Sequence, residues 1–345
     1  MKDASILVTG GTGSFGQAFA RRVLRDGPRR LVIYSRGEHL QEQMERDFNH
    51  PALRFFIGDV RDRDRLRVAM RGIDLVIHAA ALKIIPKCET DPDECRKTNV
   101  NGAMNVCYAA MDAGVSRIIA LSTDKACNPI NNYGASKLMA EKNFIAFNKI
   151  SIGKPLISVT RYGNVWGSRG SVVPLFKQRV AEGRPLPITD ARMTRFNMTL
   201  DEAVEFVLSS LPMMRGGEIF VPKLPSYRIT DVAEAVAPGH ICEFIGIRPG
   251  EKLSETLFTE DEARLTEDIG DRFVIRQMAP KNACVGAYTS GFNDHWLTVE
   301  DLRALIGSDI GGGIDGSAGK LGNGAGVKGG MDRRERSVVR LEYPP

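Results

Sequence analysis

The sequence has little of what marks a secreted, metal-binding or nucleic-acid-binding chain. Its six cysteines (88, 95, 107, 127, 242 and 284) form no C-x-x-C pair and have no nearby histidine partners. That spacing argues against a zinc site or other metal centre and reads as reduced thiols in a cytoplasmic protein. No apolar run approaches the roughly 20 residues that span a bilayer. Residues 1–5 lead straight into a short apolar strand, without the long h-region of a signal peptide. Charge of one sign is scarce as well. Against 47 Lys and Arg stand 42 Asp and Glu, and the formal charge of +5 is spread along the chain without clusters. An anionic small molecule is a compatible partner; nucleic acid and membrane are not expected.

What the sequence does contain is an alternation. Short β-rich runs at 5–9, 31–34, 53–57, 75–79, 117–122 and 156–161 are near-continuously apolar, as expected of strands covered on both faces. Helical patterns fall between them at 15–25, 38–48, 63–70, 93–113 and 133–149. The expected fold class is α/β: a Rossmann-like doubly wound parallel sheet over residues 1–164, with its ligand beyond the carboxyl ends of the strands. From about Val165 helices mix with Pro- and Gly-rich loops, as at 200–211, where Thr199 and Glu202 read as a capping box. Residues 165–306 are expected to be mainly a smaller substrate-binding lobe that returns some elements to the first domain but extends its sheet little. Residues 307–345 hold eleven glycines and a charged run, a composition expected to form a disordered tail.

Gly10-Gly11-Thr12-Gly13-Ser14-Phe15-Gly16 places G-x-x-G-x-x-G where the first strand meets the first helix. Absent side chains let the backbone turn tightly and approach a pyrophosphate, whose charge the helix N-terminus favours. After the second strand stand Ser35 and Arg36, a hydroxyl and a guanidinium suited to a 2′-phosphate, so the expected cofactor is NADP. Arg36 also reads as a solvated loop residue, and Glu38 pulls the other way. Asp59 and Val60 end the third strand, where a short carboxylate can accept from an adenine amino group. Ala80 ends the fourth, where a small residue lets a cofactor lie against the backbone. Each of these also reads as packing.

Tyr133-x-x-x-Lys137 opens a helix with both side chains on one face. The ammonium can lower the phenol's pKa and hold a nicotinamide ribose, leaving a phenolate able to take an alcohol proton. One strand earlier, Ser122-Thr123-Asp124-Lys125-Ala126 adds an acid and a base that simple alcohol oxidation does not need. A protonated Asp124 can donate to a departing hydroxyl. Lys125 can take a carbon-bound proton if its pKa is depressed. From residue chemistry alone, a surface turn with one salt bridge is an equal reading of this pair.

With these stretches in view, the chain resembles the inverting UDP-N-acetylglucosamine 4,6-dehydratases. These are extended short-chain dehydrogenases/reductases that make the first intermediate of pseudaminic acid and related 6-deoxy sugars in bacteria. The matching stretches run in order from GGTGSFG (10–16) through GDVRD (58–62), HAAALK (78–83), TNVNGAMNV (98–106), STDKA (122–126), YGASK (133–137), RYGNVWGSRGSVVP (161–174) and ITDARMTRF (188–196) to GGEIFVPK (216–223) and RPGEKL (248–253). The resemblance implies oxidation at C4 with Tyr133 taking the hydroxyl proton, C5 deprotonation by Lys125, and loss of the C6 hydroxyl aided by Asp124 and Thr123. Hydride then returns to C6, and C5 is reprotonated on the opposite face. Retaining relatives carry an acid where this chain has Lys125. By the same carry-over Val165 lies against the cofactor, and Lys83, Thr98 and Asn99 line the cofactor or sugar pocket. Asn164, Arg169, Gly170, Ser171, Thr189, Arg195, Arg248 and Glu251 hold the UDP-sugar, and the protein forms a homo-oligomer. One departure stands out: Leu40 occupies the place of a family lysine near the 2′-phosphate. The rival readings are a UDP-sugar 4-epimerase, a C5-retaining dehydratase, and a non-enzymatic NADP-sensing regulator.

Overall fold

The computed structural model describes residues 1–167, 171–308 and 338–339. The first half resolves into β1 (Ser5–Thr9), α1 (Ser14–Leu24), β2 (Arg30–Ser35), α2 (Glu38–Phe48), β3 (Leu53–Ile57), α3 (Arg63–Ala69), β4 (Leu75–His78), α4 (Ile85–Thr90), α5 (Pro92–Arg96), α6 (Gly102–Asp112), β5 (Arg117–Thr123), α7 (Asn132–Ile150) and β6 (Leu156–Tyr162). These strands lie parallel in the order β3-β2-β1-β4-β5-β6. The chain moves outward from β1 to β3 and then crosses back to β4, so the crevice of this topology opens between the ends of β1 and β4. β1 and β4 are buried along their whole length. β3 is the edge strand, and most of its residues are partly exposed instead of covered on both faces.

The pattern at 93–113 is not one helix. Pro92 opens α5, and a π-helical turn at Lys97–Asn101 precedes α6. The wider turn carries Thr98 and Asn99 into the interior, the kind of local insertion that often marks a working site. The sheet also runs further than the composition of the second half suggested. Ile219–Pro222, wholly buried, pairs parallel with β6. Arg272–Ile275 then adds antiparallel, followed by Thr266–Asp268, so that among the described residues the main sheet has nine strands.

The second lobe has its own core, built on Trp166, Phe176, Leu186, Ile188, Tyr227 and Leu302. Asn164–Val165, Thr194–Met198 and Ser226–Arg228 form one small sheet beside it. The helix Leu200–Ser210 carries the expected Thr199/Glu202 capping box and returns to pack on α1. Helix Val299–Ser308 runs into the start of the stretch read as a tail. Val338–Val339 pairs antiparallel with Cys242–Glu243, and the rest of that stretch lies outside the described residues. Among the described residues no helix is long and apolar enough to cross a membrane, and no His, Cys, Asp and Glu side chains gather as metal ligands.

Candidate active site

The glycine turn and the β4 end form one surface. Gly10 has φ +66, and a Cβ there would meet the Ala80 backbone at 2.9 Å, so the two loops touch only because Gly10 has no side chain. Thr9 and His78 fix that contact. The Thr9 hydroxyl oxygen accepts from the amides of Ala79 and Ala80 at 3.2 Å each, leaving its hydrogen for His78 Nδ1 at 2.8 Å. Burial holds His78 neutral, with its pKa lowered to about 3. α1 begins at Ser14, and no side chain caps it at Gly13. The amides of its first turn therefore remain available to an anion. Thr12 is buried with its carbonyl accepting from Gln17, and Phe15 stacks on Phe19 beyond Gly16.

At the β2 end the structure separates Ser35 from Arg36. The Ser35 hydroxyl is buried and accepts from Gln41 Nε2 at 2.9 Å, so it braces α2 and does not stand free. Arg36 is exposed and forms no salt bridge among the described residues. The Asp59 carboxylate sits at the β3 end but is held by Arg61 at 2.7 Å, and Val60 packs against Gly102 in the core. Val165 is half-buried against the main core. Two buried hydroxyls, Ser122 Oγ and Thr98 Oγ1, have no hydrogen-bond partner. A glycine cradle, an uncapped helix start and two orphaned hydroxyls, one at the end of β5 and one in the π turn, together fit a dinucleotide lying along this crevice.

The reactive residues converge at the end of β5. Thr123, Asp124 and Lys125 enter a short 3₁₀ turn, and α7 starts immediately against it. Gly134 permits this approach, because a Cβ there would collide with the Lys125 carbonyl oxygen. Asn131 caps α7 through the Gly134 amide at 2.7 Å and also donates to the Gly250 carbonyl at 2.8 Å. The Arg248–Glu251 loop is thereby tied to α7. Lys252 adds a second tie, donating to the Cys127 carbonyl at 2.7 Å.

Asp124 is 0% exposed. Its Oδ1 accepts from Thr123 Oγ1 at 2.8 Å and from Lys125 Nζ at 2.9 Å, while its Oδ2 has no partner. Lys125 Nζ also donates to Asn164 Oδ1 at 3.1 Å and lies 3.5 Å from Glu255 Oε1. Burial alone would lower the Lys125 pKa, but the charges of Asp124 and Glu255 outweigh it and raise the value above that of free lysine. The depressed pKa expected for a base is therefore not a property of the protein alone. Tyr133 is pushed up to about 12 by burial, against the pull of Lys125 and a hydrogen bond with Thr123. The cation that eases its ionisation is thus Lys125. Lys137, lowered to about 8 by burial, donates to the Leu121 carbonyl at 2.7 Å.

Several residues expected to hold the sugar nucleotide are occupied otherwise. Asn99 spends its amide on the Leu82 backbone at 2.8 and 2.9 Å and on Ser136 Oγ at 2.9 Å, so it braces the loop after β4. Arg195 donates to the carbonyls of Thr194, Lys252 and Leu253 and faces Glu255 at 3.6 Å, which makes it a support for the Arg248–Glu251 loop. Arg248 is exposed and pairs with Glu251 at 2.7 Å; Glu251 Oε2 has no partner. Lys83 is exposed at the rim and Thr189 is buried. Ser171 opens the helix Val172–Ala181 with its hydroxyl buried and unpartnered. Arg169 and Gly170 lie outside the described residues. Two further residues of the pocket were not foreseen from the sequence. Glu255 is 3% exposed with Oε2 unpartnered. Tyr227, also buried, faces Asn164, Lys125 and Arg195.

Residues 6–277 match the family described as polysaccharide biosynthesis protein. The chain is 53% identical over 323 residues to the inverting UDP-N-acetylglucosamine 4,6-dehydratase of Campylobacter jejuni, covering 88% of this chain and 97% of that protein. It is 44% identical over 326 residues to a UDP-glucose 4-epimerase of Rickettsia conorii, covering 88% and 95%. Among solved structures, Pen from Bacillus thuringiensis superimposes with a TM-score of 0.84 at 36% identity, over 89% of this chain and 98% of that one.

Proposed function

The chain belongs to the polysaccharide biosynthesis protein family, within the extended short-chain dehydrogenases/reductases, and we propose that it catalyses the 4,6-dehydration of UDP-N-acetylglucosamine with inversion at C5. The product is a UDP-2-acetamido-2,6-dideoxy-β-L-arabino-hex-4-ulose. The observation that carries this reading is the buried contact of Asp124 with Lys125 at 2.9 Å, beside Tyr133. An alcohol oxidation needs a phenol and a cation beside it but leaves a buried carboxyl without a task; an acid and an amine sharing one proton suit elimination across C5 and C6. The 53% identity to a named inverting dehydratase supports the same conclusion.

A bound nicotinamide dinucleotide supplies the hydride acceptor for C4 and the hydride donor for C6. Its phosphates belong against Gly10, Gly13 and the start of α1, and Lys137 belongs at its ribose. We assign NADP in preference to NAD because no carboxylate ends β2 and the exposed Arg36 guanidinium stands there.

Tyr133, entering as the phenolate favoured by the neighbouring Lys125 ammonium, takes the O4 proton. Asp124 and Lys125 work as one unit: moving a single proton from Nζ to Oδ1 turns the ion pair into a neutral acid and a neutral amine. In that form Lys125 accepts the C5 proton and Asp124 donates to the departing C6 hydroxyl, which leaves as water. The pair is then an ion pair again and resets by the same transfer. Tyr133 holds one proton and C5 lacks one on the face away from Lys125, so the proton count closes with Tyr133 as the donor.

Incubation with UDP-N-acetylglucosamine in heavy water tests the reading. The expected product is a 4-keto, 6-deoxy sugar with deuterium at an inverted C5. A product epimerised at C4 with the C6 hydroxyl intact would mean a 4-epimerase, the name borne by the Rickettsia relative.

A further inference from the structure

Lys125 is surrounded more completely than a free base would be. As an ammonium it has three hydrogens, and three oxygens face it: Asp124 Oδ1 at 2.9 Å, Asn164 Oδ1 at 3.1 Å and Glu255 Oε1 at 3.5 Å. The longest of the three links is to the residue that arrives from furthest away in sequence. That same Glu255 oxygen lies 3.6 Å from Arg195 Nε, so it stands between two cations and is closed tightly on neither. Its second oxygen is buried with no partner, and the side chain is 4% exposed. The Ser290 hydroxyl receives its hydrogen-bond contact from the Glu255 amide at 2.9 Å, which fixes the backbone but leaves the carboxylate to the two cations.

We propose that Glu255 is a positioning residue for Lys125: it holds the ammonium between turnovers and keeps its own charge balanced on Arg195 when Lys125 becomes a neutral amine. The inference rests on Lys125 being the C5 base, as assigned above. A neutral amine has two hydrogens and a lone pair, so one of the three links must open for Lys125 to face C5. The 3.5 Å link is the one that opens at least cost. Without a second cation, that opening would strand a buried carboxylate, which is a costly state. Arg195 prevents it. Its guanidinium is anchored on the carbonyls of Thr194, Lys252 and Leu253 and does not follow Lys125.

The charged and titratable groups around Lys125 are Asp124, Glu255, Arg195, Tyr133 and Tyr227. Of these, Asp124 and Glu255 favour the ammonium and Arg195 opposes it. In Glu255→Gln the shape stays and the negative charge goes. The Asp124–Lys125 unit then gains its second proton only at lower pH and loses its first at lower pH. Both limbs of the dehydration pH profile therefore move down, by about one unit for the loss of a charge at this range.

The test compares pH profiles of 4-keto product formation for the cofactor-loaded wild type, Glu255→Gln and Glu255→Asp. The expected result is a downward displacement in Glu255→Gln and a return toward the wild-type profile in Glu255→Asp. A Glu255→Gln profile lowered in height but undisplaced overturns the proposal and leaves Glu255 a packing residue. If Glu255→Gln does not fold, the Glu255→Asp and Arg195→Met profiles decide. Arg195→Met must move upward, and an unmoved profile overturns the proposal. Failure of the functional reading is distinct, because it appears in the wild type as absence of the deuterated 4-keto product.

Discussion

Arg161 and Lys125 each gather two carboxylates out of water, and the two clusters are finished in opposite ways. Arg161 is fully buried in β6 and uses all five of its N–H donors. Two go to Glu141 at 3.1 and 2.6 Å, two to Glu262 at 2.8 and 2.9 Å, and one to the Leu257 carbonyl at 2.9 Å. Every oxygen of both partners is engaged. Around Lys125, by contrast, Asp124 Oδ2 and Glu255 Oε2 are buried with nothing bound to them. A satisfied buried network fixes structure, whereas an unsatisfied one costs stability and persists where chemistry uses it. The first cluster joins β6 to α7 and the helix Glu260–Ala263; the second leaves buried oxygens open to an incoming proton or hydroxyl.

The largest effect expected from this contrast is on folding. Arg161→Met removes the cation from a closed cluster and strands Glu141 and Glu262, a change that costs about 3–5 kcal/mol. Urea denaturation should show that loss. A loss below about 1 kcal/mol would mean that the carboxylates find water or other partners, and the distinction between the clusters would fall. Asp124→Asn is the counterpart. It removes charge from the open cluster while preserving shape, so the denaturation midpoint should hardly change, but product formation should fall about a thousandfold. A variant that loses stability and keeps activity would reverse the assignment of the two clusters.

The closed cluster was invisible in the sequence and the open one was half visible, for a physical reason. Tyr133, Lys137, Asp124 and Lys125 lie within 14 consecutive positions on one turn and one helix start, so local spacing placed them together. The parallel sheet was legible likewise, from apolar runs of strand length, up to the edge strand β3 and the π turn at Lys97–Asn101. Glu255, from a loop, and Tyr227, from the strand Ser226–Arg228, reach the same pocket over sequence distances that no periodicity encodes. Asn99 and Arg195 show what local spacing leaves open. A polar residue in a recognisable stretch reads as a ligand contact, yet folding can spend its donors on backbone carbonyls first. Motif reading named the candidates; only the fold could say which of their polar groups were left without a partner.

Lys137 offers an intermediate case, a buried cation with one acceptor, the Leu121 carbonyl. Burial lowers its pKa from 10.5 to about 8, with Glu141 opposing. Between these values the unfolded chain binds more protons than the folded one, so stability rises with pH through that window. The penalty is complete below pH 8 and gone above 10.5. In protein stripped of cofactor, Lys137→Met should therefore be the more stable form near neutrality, by on the order of 3 kcal/mol. The gap between variant and wild type should close as the pH approaches 10. A gap that stays constant with pH would show that the ammonium carries no desolvation cost.

The smallest effect tests how far the open cluster extends. The Tyr227 hydroxyl acts on Asn164, whose Oδ1 receives Lys125 at 3.1 Å. The ring is held edge-on against Trp166, with centroids 5.9 Å apart, so it belongs to the second lobe's core as well as to the pocket. Tyr227→Phe keeps that packing and deletes only the hydroxyl, a neutral polar contact worth at most about 1 kcal/mol. If Asn164 orients Lys125, losing its brace lets the amide turn and loosens the amine at the moment C5 is deprotonated. The expected signature is a kcat about fivefold lower with KM little changed, since about 1 kcal/mol lost only at the barrier is roughly that factor. A change confined to KM would place Tyr227 on the bound sugar instead, and the open cluster would then end at Asn164.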